Sequence, residues 1–228
     1  MIASRLIAVR DRISAACEAA HRDPASVRLL AVSKTFDANT VSEAMAAGQT
    51  DFGENYIAEG VEKITALRQH TLLQWHCIGP VQSNKTRLVA EHFDWVQSVD
   101  RLKIAQRLSE QRPPHLLPLQ LCLQVNIDGG ANKSGVTPGE LMALIQEVIK
   151  LPRLRLRGLM TIPEPTADFA AACAVHSKAR ALFDQVNSAG VLPEAMDTLS
   201  MGMTADLEAA IASGSTMVRV GTAIFGGR

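Results

Sequence analysis

Net charge is the first thing this chain lacks. Its 23 Lys and Arg balance its 23 Asp and Glu. That removes the electrostatic case for a nucleic-acid or other polyanionic partner. Long apolar runs are missing too. None reaches the roughly 18 residues that a membrane span requires, and Arg5, Arg10, Asp11 and Arg12 interrupt any signal-peptide core. A cytoplasmic protein with no membrane contact is expected. Cysteine is sparse: Cys17, Cys77, Cys122 and Cys173 stand far apart among apolar neighbours, with no Cys-x-x-Cys or Cys/His ligand spacing. Buried free thiols are expected, not disulfides or a metal site. No Gly-x-Gly-x-x-Gly follows the first apolar run, so an open dinucleotide-binding sheet has no signature here. The balance of 47% hydrophobic to 20% charged residues argues against disorder.

What is present is alternation. An amphipathic opening helix (4–20) carries Leu6, Val9, Ile13 and Cys17 at helical spacing. Apolar, β-branched runs then alternate with helical periods. Strands are predicted over 27–32, 50–52, 73–76, 93–98, 119–126, 154–159, up to 200, and 216–220. Helices are predicted over 38–47, 56–69, 84–91, 101–111, 138–150, 168–189 and 205–212, with Pro138 at a first turn where its missing N–H costs nothing. Eight strand-then-helix units, the last cut short, imply an α/β fold: a TIM-like (β/α)8 barrel with an extra N-terminal helix. No repeat or linker divides residues 1–228, so one domain is expected. The alternative is an open doubly wound sheet.

Barrel active sites lie at the C-terminal ends of the strands. Lys34 follows the first strand and shares a side with Leu30 and Val32. If those fill the interior, Lys34 points into the mouth, where a partly desolvated amine attacks carbonyls. The plain alternative is a solvated lysine. Ser200, Gly202 and Thr204 follow the seventh strand, and hydroxyls, a flexible glycine and helix N–H groups suit a phosphate. A simple helix cap by Thr204 is the other reading. Gly221 and Thr222, after the eighth strand, offer further donors to the same anion. Arg219 occupies the opposite face from Val218 and Val220 and requires an acceptor if buried. His76 could line the mouth or be structural. The polar stretch Gln82, Ser83, Asn84 and Lys85 reads equally as a functional loop or a helix start. Lys133, in the loop Asn132–Gly135, reads best as a solvated lysine, with a second cofactor contact as the alternative. Met201 and Met203 read as packing.

Seven stretches together resemble one family: 29–35 (LLAVSKT), 51–58 (DFGENYIA), 75–85 (WHCIGPVQSNK), 133–135 (KSG), 155–163 (RLRGLMTIP), 199–204 (LSMGMT) and 217–226 (MVRVGTAIFG). The chain is similar, over nearly its whole length, to the YggS/PROSC family of pyridoxal phosphate homeostasis proteins, the alanine racemase N-terminal-domain-like family. The resemblance implies a fold-type III barrel that binds pyridoxal 5′-phosphate (PLP). It implies that Lys34 is the Schiff-base lysine and that Ser200, Gly202, Thr204, Gly221 and Thr222 form the phosphate region. It also implies that Arg219 faces the pyridine nitrogen and that Asn55 lies at the cofactor face. The family commonly has Ser where Thr204 stands, and threonine keeps the hydroxyl. An arginine holds its own proton, so the ring nitrogen would accept a hydrogen bond and stay neutral, weakening carbanion stabilisation.

Three functions remain distinguishable at this point. The favoured one is a PLP-binding protein of intracellular PLP homeostasis with little or no turnover. Its partners would be PLP and PLP-dependent apo-enzymes or amino acids, and it would be a monomer. The second is a PLP-dependent amino-acid racemase or lyase. Related racemases carry a second domain with a catalytic tyrosine. This chain stops eight residues after Val220, and its only tyrosine is Tyr56. The third is a class I aldolase-type barrel, which predicts no bound chromophore.

Overall fold

The computed structural model describes residues 1–130 and 133–227. The elements run α1 (Ile2–Ala19), β1 (Arg28–Val32), α2 (Ala38–Ala46), β2 (Asp51–Glu54), α3 (Ile57–Ala66), β3 (Gln74–Cys77), α4 (Thr86–His92), β4 (Trp95–Val99) and α5 (Leu102–Gln111). They continue β5 (Leu119–Val125), α6 (Pro138–Val148), β6 (Leu154–Thr161), α7 (Phe169–Ser188), β7 (Thr198–Ser200), α8 (Leu207–Ala212), β8 (Met217–Val220) and α9 (Thr222–Phe225). The strands are parallel and close in sequence order, with β8 paired to β1. The expected TIM-like barrel with an extra front helix is what forms.

Strand periodicity sorts residues onto two faces. In β1, Leu30 and Val32 point inward and pack with Ile78 and Met217. Trp95, Cys122 and Met160 form a second interior cluster. Ala31, Phe52, Trp75, Cys77 and Val96 belong instead to the layer between strands and helices. The opening helix buries Leu6, Val9, Ile13 and Cys17, as its spacing predicts, and packs on α2, α8 and α9. It therefore covers the wall where α9 is a single turn. In α6, Thr137 and Glu140 form a capping box beside Pro138, a device worth about 1 kcal/mol.

Several expectations shift. Strand β6 runs two residues past 159, because Met160 pairs with Ser200 and Thr161 with Val125. Strand β3 continues past His76 to Cys77. Helix α8 starts at Leu207 with Asp206 at its N-cap, so Thr204 lies before the helix and does not cap it. Cys173 is partly exposed, whereas Cys17, Cys77 and Cys122 are buried; all four are free thiols. No described helix is long and apolar enough to cross a membrane.

Candidate functional site

Lys34 lies two residues beyond Val32, in the turn that leaves β1, and is half-buried. Leu30 and Val32 do fill the interior, which is the condition for Lys34 to belong to the mouth. Among the described residues its amine has no hydrogen bond or ion pair. Asn55 follows β2 at the same end, and its Oδ1 is buried without a partner. Gly79 permits this placement: a Cβ there would lie 2.0 Å from the Asn55 carbonyl oxygen, far inside any tolerable contact. Thr161, at the end of β6, also holds a buried Oγ1 without a partner. Buried polar atoms are rarely left unpaired, so two at one barrel end mark a place where a ligand's polar groups fit.

Arg219 rises from β8 inside the barrel, 4% exposed. Its Nη1 donates to Ser200 Oγ at 2.7 Å and its Nη2 to the Thr161 carbonyl at 2.8 Å. Burial pulls it down to about 10, with the Asp206 carboxylate opposing, so it stays charged at neutral pH. A guanidinium only donates, which sets the direction of everything behind it. Ser200 therefore accepts from Arg219 and gives its own proton to Gln97 Oε1 at 2.7 Å. Gln97 Nε2 then points its hydrogens at His76 Nδ1 (2.9 Å) and Met217 Sδ (3.2 Å). His76 must accept there, so its proton sits on Nε2, 3.4 Å from Asp51 Oδ1. Asp51 in turn pairs with Arg28, and the His76 ring stacks on Trp95 with centroids 5.0 Å apart. Burial, more than any charge, lowers the His76 pKa, with Asp51 opposing. The chain runs one way from cation to carboxylate.

The loop after β7 is tied to strand β8 by Met201 N–H to the Met217 carbonyl and Arg219 N–H to the Gly202 carbonyl. Gly202 adopts φ +94°, and a Cβ on it would meet the Ala210 methyl at 2.4 Å. Thr222 and Ala223 open α9, where N–H groups have no acceptor within the helix. Gly221 lets the loop close on β1, since a Cβ there would lie 3.2 Å from the Val32 carbonyl oxygen. Backbone donors beside an exposed Thr222 and a part-buried Thr204 can hold an anion. Of the five phosphate-region residues, Ser200 differs: its fully buried hydroxyl is already committed to Arg219 and Gln97.

The remaining sequence candidates fall elsewhere. His76 lies wholly inside the barrel below the mouth and is structural. Ser83, Asn84 and Lys85 form a 3-10 turn leading into α4. Lys133 is not solvated: it donates to the Ile162 carbonyl at 2.8 Å and pairs with Asp128 and Glu164, joining the loops after β5 and β6. Asn132 of the same loop lies outside the described residues. Met201 is buried, but Met203 is 37% exposed. A cavity of about 280 Å³ lies between the loops after β6 and β7, lined by Pro163, Phe169, Met203, Asp206 and Glu208. Its polar groups are spoken for: Asp206 takes His176 Nε2 and the Met203 N–H, and Glu208 takes Arg12. Sequence reasoning missed Gln97, Thr161, Glu54 and Lys63. Gln97 alone left a signal, a polar residue on the inward face of a strand that is buried throughout.

Comparison with known proteins agrees with the fold. Residues 5–228 match the family described as alanine racemase, N-terminal domain. The pyridoxal phosphate homeostasis protein of Pseudomonas aeruginosa is 58% identical over 227 residues, covering 100% of this chain and 96% of that one. Its Escherichia coli K12 counterpart is 52% identical, covering 100% and 97%. PipY of Synechococcus elongatus, in a structure with PLP bound, superimposes with a TM-score of 0.86 at 37% identity, covering 99% of this chain and all of that one. Alanine racemase of Clostridium difficile, at 19% identity and TM-score 0.70, shares the fold.

Proposed function

Since the chain belongs to the alanine racemase N-terminal domain family, specifically with the pyridoxal phosphate homeostasis proteins, we propose that it binds PLP covalently on Lys34 and serves intracellular PLP homeostasis. The observation that carries this is a lysine after β1 whose amine has no partner among the described residues, in a barrel that also holds a buried arginine and two orphaned polar atoms. When bound, PLP supplies an aldehyde that condenses with a primary amine, releasing water, together with a pyridine nitrogen and a phosphate. The residues present fit each part. Lys34 supplies the amine. Arg219, fixed by Ser200 and Thr161, donates toward the ring nitrogen. Gly202, Thr204, Gly221 and Thr222 supply phosphate donors, and Asn55 offers an unpaired Oδ1 at the ring's face. Ser200 serves the site from behind by holding Arg219.

Holding, not turnover, is the task in this reading. Arg219 cannot surrender a proton to the ring near neutral pH, so carbanions on a bound amino acid gain little stabilisation. Tyr56, the only tyrosine, is 55% exposed and no desolvated base. Residues 1–228 act as one cytoplasmic binding domain whose partners are PLP and PLP-dependent apo-enzymes. The test is a spectrum of the purified protein with PLP, borohydride trapping and peptide mapping. A visible band trapped on Lys34 and absent from Lys34→Ala is expected. Trapping on another lysine, or a fast α-proton exchange with a common amino acid in heavy water, would overturn the reading.

A further inference from the structure

We propose that Lys63, with Glu54 and Glu59, is a positioning unit for Lys34: a buried ionic clamp behind the barrel wall that fixes both peptide planes flanking Lys34. The inference rests on Lys34 being the cofactor lysine. Lys63 comes from α3, and its side chain is 4% exposed. An ammonium has three donors, and all are used: Ser33 carbonyl at 2.8 Å, Glu54 Oε1 at 2.8 Å and Glu59 Oε1 at 2.6 Å. Each acceptor leads back to Lys34. The Ser33 carbonyl belongs to the peptide that precedes it. Glu54 Oε1 also takes the Ser33 hydroxyl at 2.6 Å. Glu59 Oε1 also takes the Thr35 N–H, which belongs to the peptide that follows it.

Holding both planes sets φ and ψ at Lys34, and hence the direction of its Cα–Cβ bond. The hold is needed because Thr35, a β-branched residue, sits at φ +69°, a left-handed conformation that costs free energy unless its surroundings enforce it. Packing alone does not explain the cluster. A buried ion pair seldom outperforms apolar residues of the same volume as a source of stability. What charges offer here is direction, since one ammonium reaches three acceptors in defined places. Glu54 is fully buried with its Oε2 unpartnered, so the arrangement gives up satisfaction of one carboxylate oxygen to keep this geometry.

The test compares Lys63→Met and Lys63→Arg with Leu108→Ala, a control buried in α5, on two readouts. Without cofactor, native-state hydrogen exchange of the Thr35 amide is measured relative to global unfolding. Lys63→Met should accelerate it by roughly a hundredfold beyond the control. With PLP, the rate of borohydride-trappable attachment to Lys34 should fall about tenfold or more in Lys63→Met, because small misplacement of a reacting group is expensive. Lys63→Arg should fall between, and the remote control should stay within about twofold of the wild type. Thr35 exchange equal to the control's, or wild-type attachment in Lys63→Met, overturns the clamp. If the wild type itself attaches no PLP, the cofactor reading fails while the exchange result still decides the clamp. Should Lys63→Met not fold, Glu59→Gln removes the partly exposed partner and should move both readouts in the same direction.

Discussion

Inside the barrel wall, hydrogen bonds pass in one direction from Arg219 through Ser200 and Gln97 to His76, whose Nε2 faces Asp51 at 3.4 Å. Outside it, Lys63 gathers Glu54, Glu59 and the backbone around Lys34. Both systems are buried, and both end on a residue of the mouth. They differ in how charge is handled. The inner chain separates its charges, with neutral groups carrying the polarity between a cation and a carboxylate. The outer cluster concentrates one cation and two carboxylates at contact distance. The chain can tolerate a weakened link, because Arg219 keeps a second acceptor in the Thr161 carbonyl. The cluster has no such reserve: one ammonium joins both carboxylates and the Ser33 carbonyl.

Breaking the cluster should therefore have the larger effect. Lys63→Met strips the fully buried Glu54 carboxyl of its cation and should cost about 3–5 kcal/mol of unfolding free energy, measured by urea denaturation. Replacing the pair together, as Lys63→Met with Glu54→Leu, should recover most of that loss, because no uncompensated charge remains. It should not recover fast attachment at Lys34. Full recovery of attachment would mean that packing alone positions the lysine.

Breaking the inner chain should spare attachment at Lys34. Gln97→Met removes the acceptor for Ser200 and the donor to His76, and each orphaned group costs about 1–3 kcal/mol. Attachment at Lys34 should keep its rate, while the dissociation constant for PLP rises as Arg219 loosens. A slowed attachment with unchanged affinity would reverse the assignment of the two systems.

The inner and outer systems also differ in how far the sequence exposes them. Alternation in β1 puts Leu30 and Val32 inside, and the eight-unit rhythm places Lys34 and Arg219 at or near the mouth, while Asn55 comes only from the family resemblance. Those are local patterns read along one strand at a time. Ser200 shows where such reading stops. Its position after β7 is legible, but its hydroxyl is taken by Gln97, 103 residues away, which no local pattern encodes. Lys63 is harder still. On an amphipathic helix a lysine reads as solvated, and only the contact with Ser33, 30 residues earlier, turns it inward. Lys133 misled for the same reason, since its acceptor at Ile162 lies on another loop. The reading of Thr204 as a cap of α8 fails because the helix begins at Leu207, two residues later than the apolar spacing suggests.

Acid titration offers the smallest effect and the finest test of the difference. Burial raises the Asp51 pKa, but its neighbours His76, then Arg28 and Thr50, outweigh it, leaving Asp51 below its ordinary value. For Glu54, burial prevails over Lys63 and Ser33 and leaves it above 4.5. The signs are opposite. Asp51 contributes stability that is present above its unfolded value, about 3.9, and is lost as pH falls through its lower folded value. Ionised Glu54 carries a penalty that is present at neutral pH and relieved as pH falls through its raised folded value. Carboxyl carbon NMR on acidification should therefore show Glu54 protonating before Asp51. The stability gap between the wild type and Asp51→Asn should be constant from neutral pH to about 5 and close below about 4. Protonation of Asp51 ahead of Glu54 would mean that the separated chain, not the crowded cluster, bears the heavier cost of burial.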